Sequence, residues 1–248
     1  VIVYSNSCSF GATTTYPVYS EWVAKHFDCE LVNKGKPSAC NRRIIRTSVR
    51  DLLELKKQHS DIVCLIGLTF ITRTELWQPN IPADSNDGNF HSITVDFKKL
   101  NWAQGIANAV VPNIHQYAND DVQEYYKQWL LHMNKEAILT DLIADIIMFL
   151  NFCQAQNIKL LLWSNTQTWP ASPEIAVDDV FFQTFYQTLI SSSMVINPWQ
   201  FSFRDYALQQ GCRPIDEEQY GLDGHPGGQA HEFFAQHLLK YIKEKELA

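Results

Sequence analysis

Apolar and polar positions along this chain follow two rhythms: short unbroken apolar runs, and longer stretches with helical spacing. The chain opens on Val1-Ile2-Val3-Tyr4, which gives way to Ser5-Asn6-Ser7-Cys8-Ser9-Phe10-Gly11, the pattern of a buried strand running into a loop. Tyr16 to Phe27 reads as a helix with Pro17 at its start and Trp22, Val23 and His26 at helical spacing. Cys29 to Asn33 is a second strand, and Lys34 to Asn41 a loop at its end. A helix follows from about Asn41 to His59, with Ile44, Ile45, Val49, Leu52, Leu53 and Leu55 inward.

Asp61 to Thr69 is the third strand, apolar enough for a sheet covered on both faces. Trp77 to Ala118 holds Pro79, Pro82 and Pro112 with little periodicity, and a connection of that length reads as a lid or binding loop. Asp120 to Asn157 is helical with a break near Asn134, and Lys159 to Asn165 is the fourth strand. A helix over Asp178 to Ser192, a fifth short strand within Ser193 to Pro198 and a short helix over Phe201 to Gln210, closed by Gly211, come next. Phe233 to Ile242 makes the last helix. Strands alternating with helices predict a parallel sheet with right-handed crossovers. Residues 1–248 read as one α/β domain with an insertion at about 77–118.

Composition narrows the function classes. The chain has 248 residues, 46% of them hydrophobic, enough for a sizeable core. A formal net charge of −7 disfavours nucleic acid as the main partner. The longest apolar stretch, Ile138 to Phe152, carries Asp141 and Asp145 and reads as a packed helix, with no run long enough to cross a membrane. Six cysteines without CxxC pairing point to a reduced, cytoplasmic protein with no structural zinc.

Candidate chemistry sits at the two chain ends. Ser7, after the first strand, is placed to be a nucleophile where ligands bind an open α/β sheet; as a bland alternative it is a turn serine. Asp223 and His225 lie two apart on a Gly/Pro-rich loop and suit an orienting acid and a general base. His231 competes as the base and Cys8 as the nucleophile. Arg42, Arg43, Arg46 and Arg50 form a basic stripe, read as a solvated face pairing with Asp51 or Glu54, against recognition of an anionic group. Arg73 either touches substrate or pairs with Glu75. Trp102, Trp163, Trp169 and Trp199 are packing residues before they are sugar platforms.

Four of these loops resemble the motif blocks of SGNH (GDSL-type) hydrolases, in the order that family uses. Ser5 to Gly11 is similar to the first block, with Ser7 at the nucleophile; Asn33 to Asn41 is similar to the second, with Ser38 where a glycine gives its N–H to the oxyanion hole. Ile66-Gly67-Leu68-Thr69 stands in the third block with Thr69 in place of asparagine, for which Asn165 is a substitute donor, and Asp223-Gly224-His225-Pro226 resembles the last. The resemblance implies a three-layer α/β/α fold with a mostly parallel five-stranded sheet. It also implies a serine esterase that removes an acyl group, such as acetyl, from a carbohydrate or small metabolite, with Ser7, His225 and Asp223 as the triad, Ser38, Thr69 and Asn165 around the oxyanion, and no metal or organic cofactor. An O-acyltransferase on the same scaffold and a binding protein with weakened turnover remain as alternatives, the latter because of Ser38 and Thr69.

Overall fold

The computed structural model describes residues 1–37, 39–71, 73–77, 90–94, 135–166, 168–169, 180–212 and 225–245. Within these, strands β1 (Ile2–Ser7), β2 (Glu30–Asn33), β3 (Ile62–Leu68) and β6 (Lys159–Ser164) form a parallel sheet in the order β2-β1-β3-β6. Its register pairs Ile2 with Glu30 and Ile62, Ser7 with Gly67, and Leu68 with Ser164. Helices α1 (Tyr19–His26) and α6 (Gly228–Glu244) pack together on one face, while α2 (Asn41–Lys56) and α3 (Lys135–Ala155) cover the other. Helices α4 (Val180–Ser191) and α5 (Phe203–Gln209) complete the described helical elements.

This is the three-layer α/β/α arrangement expected, with four sheet strands instead of five among the described residues. Where the fifth was expected, Val195 makes a single parallel bridge to Leu162, and Ser202 another to Ser164. The segment follows the edge of β6 and then turns into α5, so too few consecutive residues stay in register to make a strand. A second departure lies in the insertion. Arg73–Trp77 (β4) pairs antiparallel with Phe90–Thr94 (β5), so part of the stretch expected to be aperiodic forms a ribbon.

Residue choice explains the core strands. Every residue of β1 and β3 is buried, as helices on both faces demand. Because side chains alternate across a strand, Tyr4 and Asn6 face α2, while Ser5 and Ser7 face Tyr19 of α1. Helix α2 starts at Cys40, whose sulfur accepts from the Arg43 N–H at 3.4 Å. The α5 start is a serine cap, with Ser202 Oγ accepting from the Asp205 N–H at 3.1 Å, and Gly211 beyond it takes φ +72°.

Helix α3 lies within the helical stretch expected over Asp120 to Asn157; Asn134, where a break was expected, lies outside the described residues. Its 138–155 segment is long and apolar enough to cross a bilayer by length and composition, contrary to the reading of the sequence. Leu139, Ile143, Ile146, Phe149 and Cys153 are buried and Met148 is exposed. All six cysteines are free thiols, and burial pushes the Cys153 thiol up to about 12.

The arginine stripe resolves into pairs. Arg46 makes a two-pronged contact with Glu75 of β4 at 3.1 and 2.8 Å, Arg50 meets Asp51 at 2.7 Å, and Arg42 meets Asp145 at 3.5 Å. Arg43 leaves the stripe altogether. It is buried, with Nη1 3.4 Å from Asn6 Oδ1 and 3.5 Å from the Lys34 carbonyl. Glu54, expected to serve the stripe, pairs with Lys57 at 2.7 Å.

Candidate active site

The site is built at the carboxyl edge of β1 and β3, where the two chain ends meet. Past Ser7 the backbone turns, with the Gly11 N–H donating to the Cys8 carbonyl at 3.1 Å. That bond makes Cys8-Ser9-Phe10-Gly11 a β-turn with glycine at its last position, a common preference. Gly11 also gives close approach, since a Cβ there would collide with the Tyr19 hydroxyl and Ser7 Oγ. Ser9 occupies the second turn position and is partly buried, whereas every other residue from Ile2 to Ala12 is buried.

His225 arrives from the far end of the chain and sets Nε2 2.7 Å from Ser9 Oγ. The contact joins residues 216 positions apart. Phe10 backs the imidazole, with ring centroids 4.8 Å apart. Beside it, Tyr16, ahead of α1, donates to the Pro226 carbonyl at 3.2 Å, and the Tyr19 N–H at the start of α1 donates to His231 Nδ1 in α6 at 3.3 Å. His231 is buried in α6 among Tyr16, Tyr19 and Phe203. Burial first, then the neighbouring His225, hold it down to about 3, so it is a neutral imidazole whose Nδ1 is an acceptor.

Ser7 is the last residue of β1 and fully buried. Its Oγ donates to the Cys8 carbonyl at 3.0 Å, and its own carbonyl accepts from the Lys36 N–H at 3.0 Å. Strand parity turns its side chain beneath the sheet edge toward Tyr19. The Tyr19 hydroxyl lies beside Ser7, Asn165 and Ser5 without a well-formed bond to any of them, and burial pushes the phenol up to about 12.

The groups expected around the oxyanion are distributed as follows. Ser7 and Gly67 are partners in adjacent strands, so Ser9 and Thr69 each stand two residues beyond the same rung. Thr69 is buried, its Oγ1 accepting from Arg73 Nη1 at 3.0 Å and its N–H donating to Asn41 Oδ1 at 2.7 Å. A hydroxyl that accepts from a guanidinium keeps its own hydrogen to donate. Asn165 is fully buried; Oδ1 accepts from Trp163 Nε1 at 2.7 Å, and Nδ2 packs where a Cβ on Gly67 would sit. Ser38 and Asp223 lie outside the described residues, as does Trp102. Trp169 and Trp199 pack edge to face, 5.1 Å between centroids.

Three contributors were not legible as such from the sequence: Ser9, Asn41 and Tyr19. For Ser9 the available signal was Gly11, which marks a turn two residues later than Ser7 requires. Asn41 looks like a helix cap, but Cys40 takes that role. Asn41 instead clamps the third-block loop, its Nδ2 donating to the Thr69 carbonyl at 3.1 Å and to that of Phe70 at 3.4 Å. Among the described residues no group of three His, Cys, Asp or Glu side chains gathers to hold a metal ion.

No protein-family model matches the chain, and no curated protein matches it. Several solved structures resemble it in fold, among them these two. One is a member of the lipolytic G-D-S-L family from Veillonella parvula DSM 2008, with TM-score 0.44, 11% identity and 98% of each chain covered. The other, assigned to the lipolytic G-D-S-L family, comes from Desulfitobacterium hafniense DCB-2, with TM-score 0.40, 12% identity, 97% of this chain and 98% of that chain covered.

Proposed function

We propose that the protein is a serine ester hydrolase whose nucleophile is Ser9, in the role that the motif resemblance gave to Ser7. One observation carries this reading: the hydroxyl of a partly buried turn serine 2.7 Å from an imidazole nitrogen. That is the nucleophile-base spacing acyl transfer requires. Ser9 Oγ attacks the ester carbonyl carbon as its proton passes to His225 Nε2. The tetrahedral adduct collapses as His225 returns that proton to the departing alcohol oxygen, leaving an acyl-Ser9 ester. Water, deprotonated by the same nitrogen, then releases the acid and restores the hydroxyl. Asp223, two residues before the base, is the carboxylate assigned to hold the imidazole and stabilise its charged form.

The developing oxyanion is assigned to the backbone N–H of Ser9, the Thr69 hydroxyl and, from the family resemblance, the backbone N–H of Ser38. Losing one such donor typically costs about 10²–10³ in turnover. The substrate is a small or carbohydrate ester carrying a short acyl group. The test is hydrolysis of p-nitrophenyl acetate, butyrate and octanoate by wild type, Ser7→Ala and Ser9→Ala. Turnover favours acetate and is abolished in Ser9→Ala while Ser7→Ala keeps it. Equal rates for wild type and Ser9→Ala would remove Ser9 from the mechanism. His225→Ala loses nearly all activity and His231→Ala retains most.

A further inference from the structure

Arg73 opens β4, directly after the loop that carries Thr69. Its Nη1 donates to Thr69 Oγ1 at 3.0 Å and to the Ala39 carbonyl at 3.4 Å, so the guanidinium bridges the loops after β2 and β3. Its central carbon lies 5.1 Å from the Phe70 ring centre. None of these partners carries a negative charge. Glu75, two residues on along β4, is taken by Arg46. Arg42 and Arg50 also have carboxylates of their own. Among the described residues, Arg73 Nε is buried with no acceptor.

A half-buried cation without an anion is costly. So is a buried N–H with nothing to receive it, and both costs are offset when an anionic oxygen group meets the guanidinium. Guanidinium geometry suits carboxylate and phosphate oxygens, through two parallel N–H donors. The position matters as much as the charge: Thr69, which Arg73 touches, lies two residues past Gly67, the strand partner of Ser7, as Ser9 lies two past Ser7. We propose that Arg73 binds a negatively charged oxygen group, carboxylate or phosphate, on the substrate presented to Ser9. This rests on the ester-hydrolase reading for the word substrate, but not for the anion site itself.

The experiment titrates acetate and inorganic phosphate, separately, into wild type, Arg73→Gln and Arg73→Lys by calorimetry. Each anion is also added to p-nitrophenyl acetate assays. At least one anion binds wild type. Its affinity falls about tenfold or more in Arg73→Gln, with Arg73→Lys between the two, because a point charge replaces a fork. The anion that binds more tightly identifies the preferred group, and it raises KM for the neutral ester without lowering kcat. No binding of either anion, or equal binding by Arg73→Gln, overturns the proposal. A loss of kcat in Arg73→Gln with unchanged anion binding would make Arg73 a positioning residue for the Thr69 loop only. Arg73-dependent binding in a protein that hydrolyses no ester would sink the esterase reading and leave the anion site standing.

Discussion

The two faces of β1 both carry polar side chains into the interior, and they treat them differently. Toward α2, Asn6 Nδ2 reaches Thr47 Oγ1 at 2.9 Å, Ser48 Oγ at 3.0 Å, the Ile44 carbonyl at 3.2 Å and the Tyr4 hydroxyl at 3.3 Å. Its Oδ1 accepts from Arg43, and Tyr4 bonds Ser48 and Asp51. Toward α1, Ser5 Oγ, the Tyr19 hydroxyl and Asn165 Nδ2 are buried without a partner among the described residues. A closed polar network fixes one arrangement of the chain, whereas orphaned groups contribute little to holding it. The α2 face is therefore the scaffold that aims β1. The α1 face is the floor beneath the turn that carries Ser9, where Ser7 is one of the buried groups.

The sharpest break between the faces is in activity. Ser9→Ala is expected to lower kcat for p-nitrophenyl acetate by about 10³-fold or more while the thermal midpoint stays within ~1 °C, because a turn hydroxyl outside the buried core adds little to stability. A stabilising role for Ser9 would show as a fall in both. Next in size is Asn6→Ala, which strips the scaffold face of its hub and leaves Arg43 short of an acceptor. Denaturant unfolding should report a loss of about 2–4 kcal/mol. A change below ~1 kcal/mol would mean the network is ornamental.

A third effect links the floor to pH. His231 is held near 3 in the folded chain against an ordinary value of 6.5, so the unfolded chain binds more protons between those limits. Stability from this residue is complete above pH 6.5 and is lost as pH falls toward 3, by on the order of a few kcal/mol. In His231→Asn, which keeps an acceptor for the Tyr19 N–H but cannot charge, the fall in thermal midpoint between pH 7 and 4 should be visibly shallower than in wild type. An identical slope would show that the acid sensitivity comes from elsewhere. The smallest effects belong to the orphaned groups: Tyr19→Phe should change stability by less than ~1 kcal/mol, since its hydroxyl makes no well-formed bond. A larger loss would mean that hydroxyl is bonded in solution.

Much of the fold could be read from apolar runs alone. β3 lies inside the stretch Asp61 to Thr69, and α3 inside the stretch Asp120 to Asn157. The fifth strand could not, because a short apolar segment along a sheet edge looks the same whether it makes one bridge or a ladder. The arginines of α2 show a different limit. Spacing put four on one helix face, but a helix face is wide, and Arg43 turns to the Asn6 amide, a partner 37 residues away that no local pattern announces. The site was legible as a meeting of two loops, yet not as a pair of atoms. Two serines lie two positions apart in Ser7-Cys8-Ser9, and choosing between them needs the residue at which the strand stops. Strand parity sends Ser7 under the sheet, and only the turn closed at Gly11 lifts Ser9 into reach of His225.

That choice of serine is tested most directly by labelling with a fluorophosphonate and mapping the adduct by peptide mass spectrometry, in wild type and in Ser7→Ala. The expected result is one adduct, on Ser9, in both proteins and none in Ser9→Ala. An adduct on Ser7, or labelling that survives in Ser9→Ala, would contradict it.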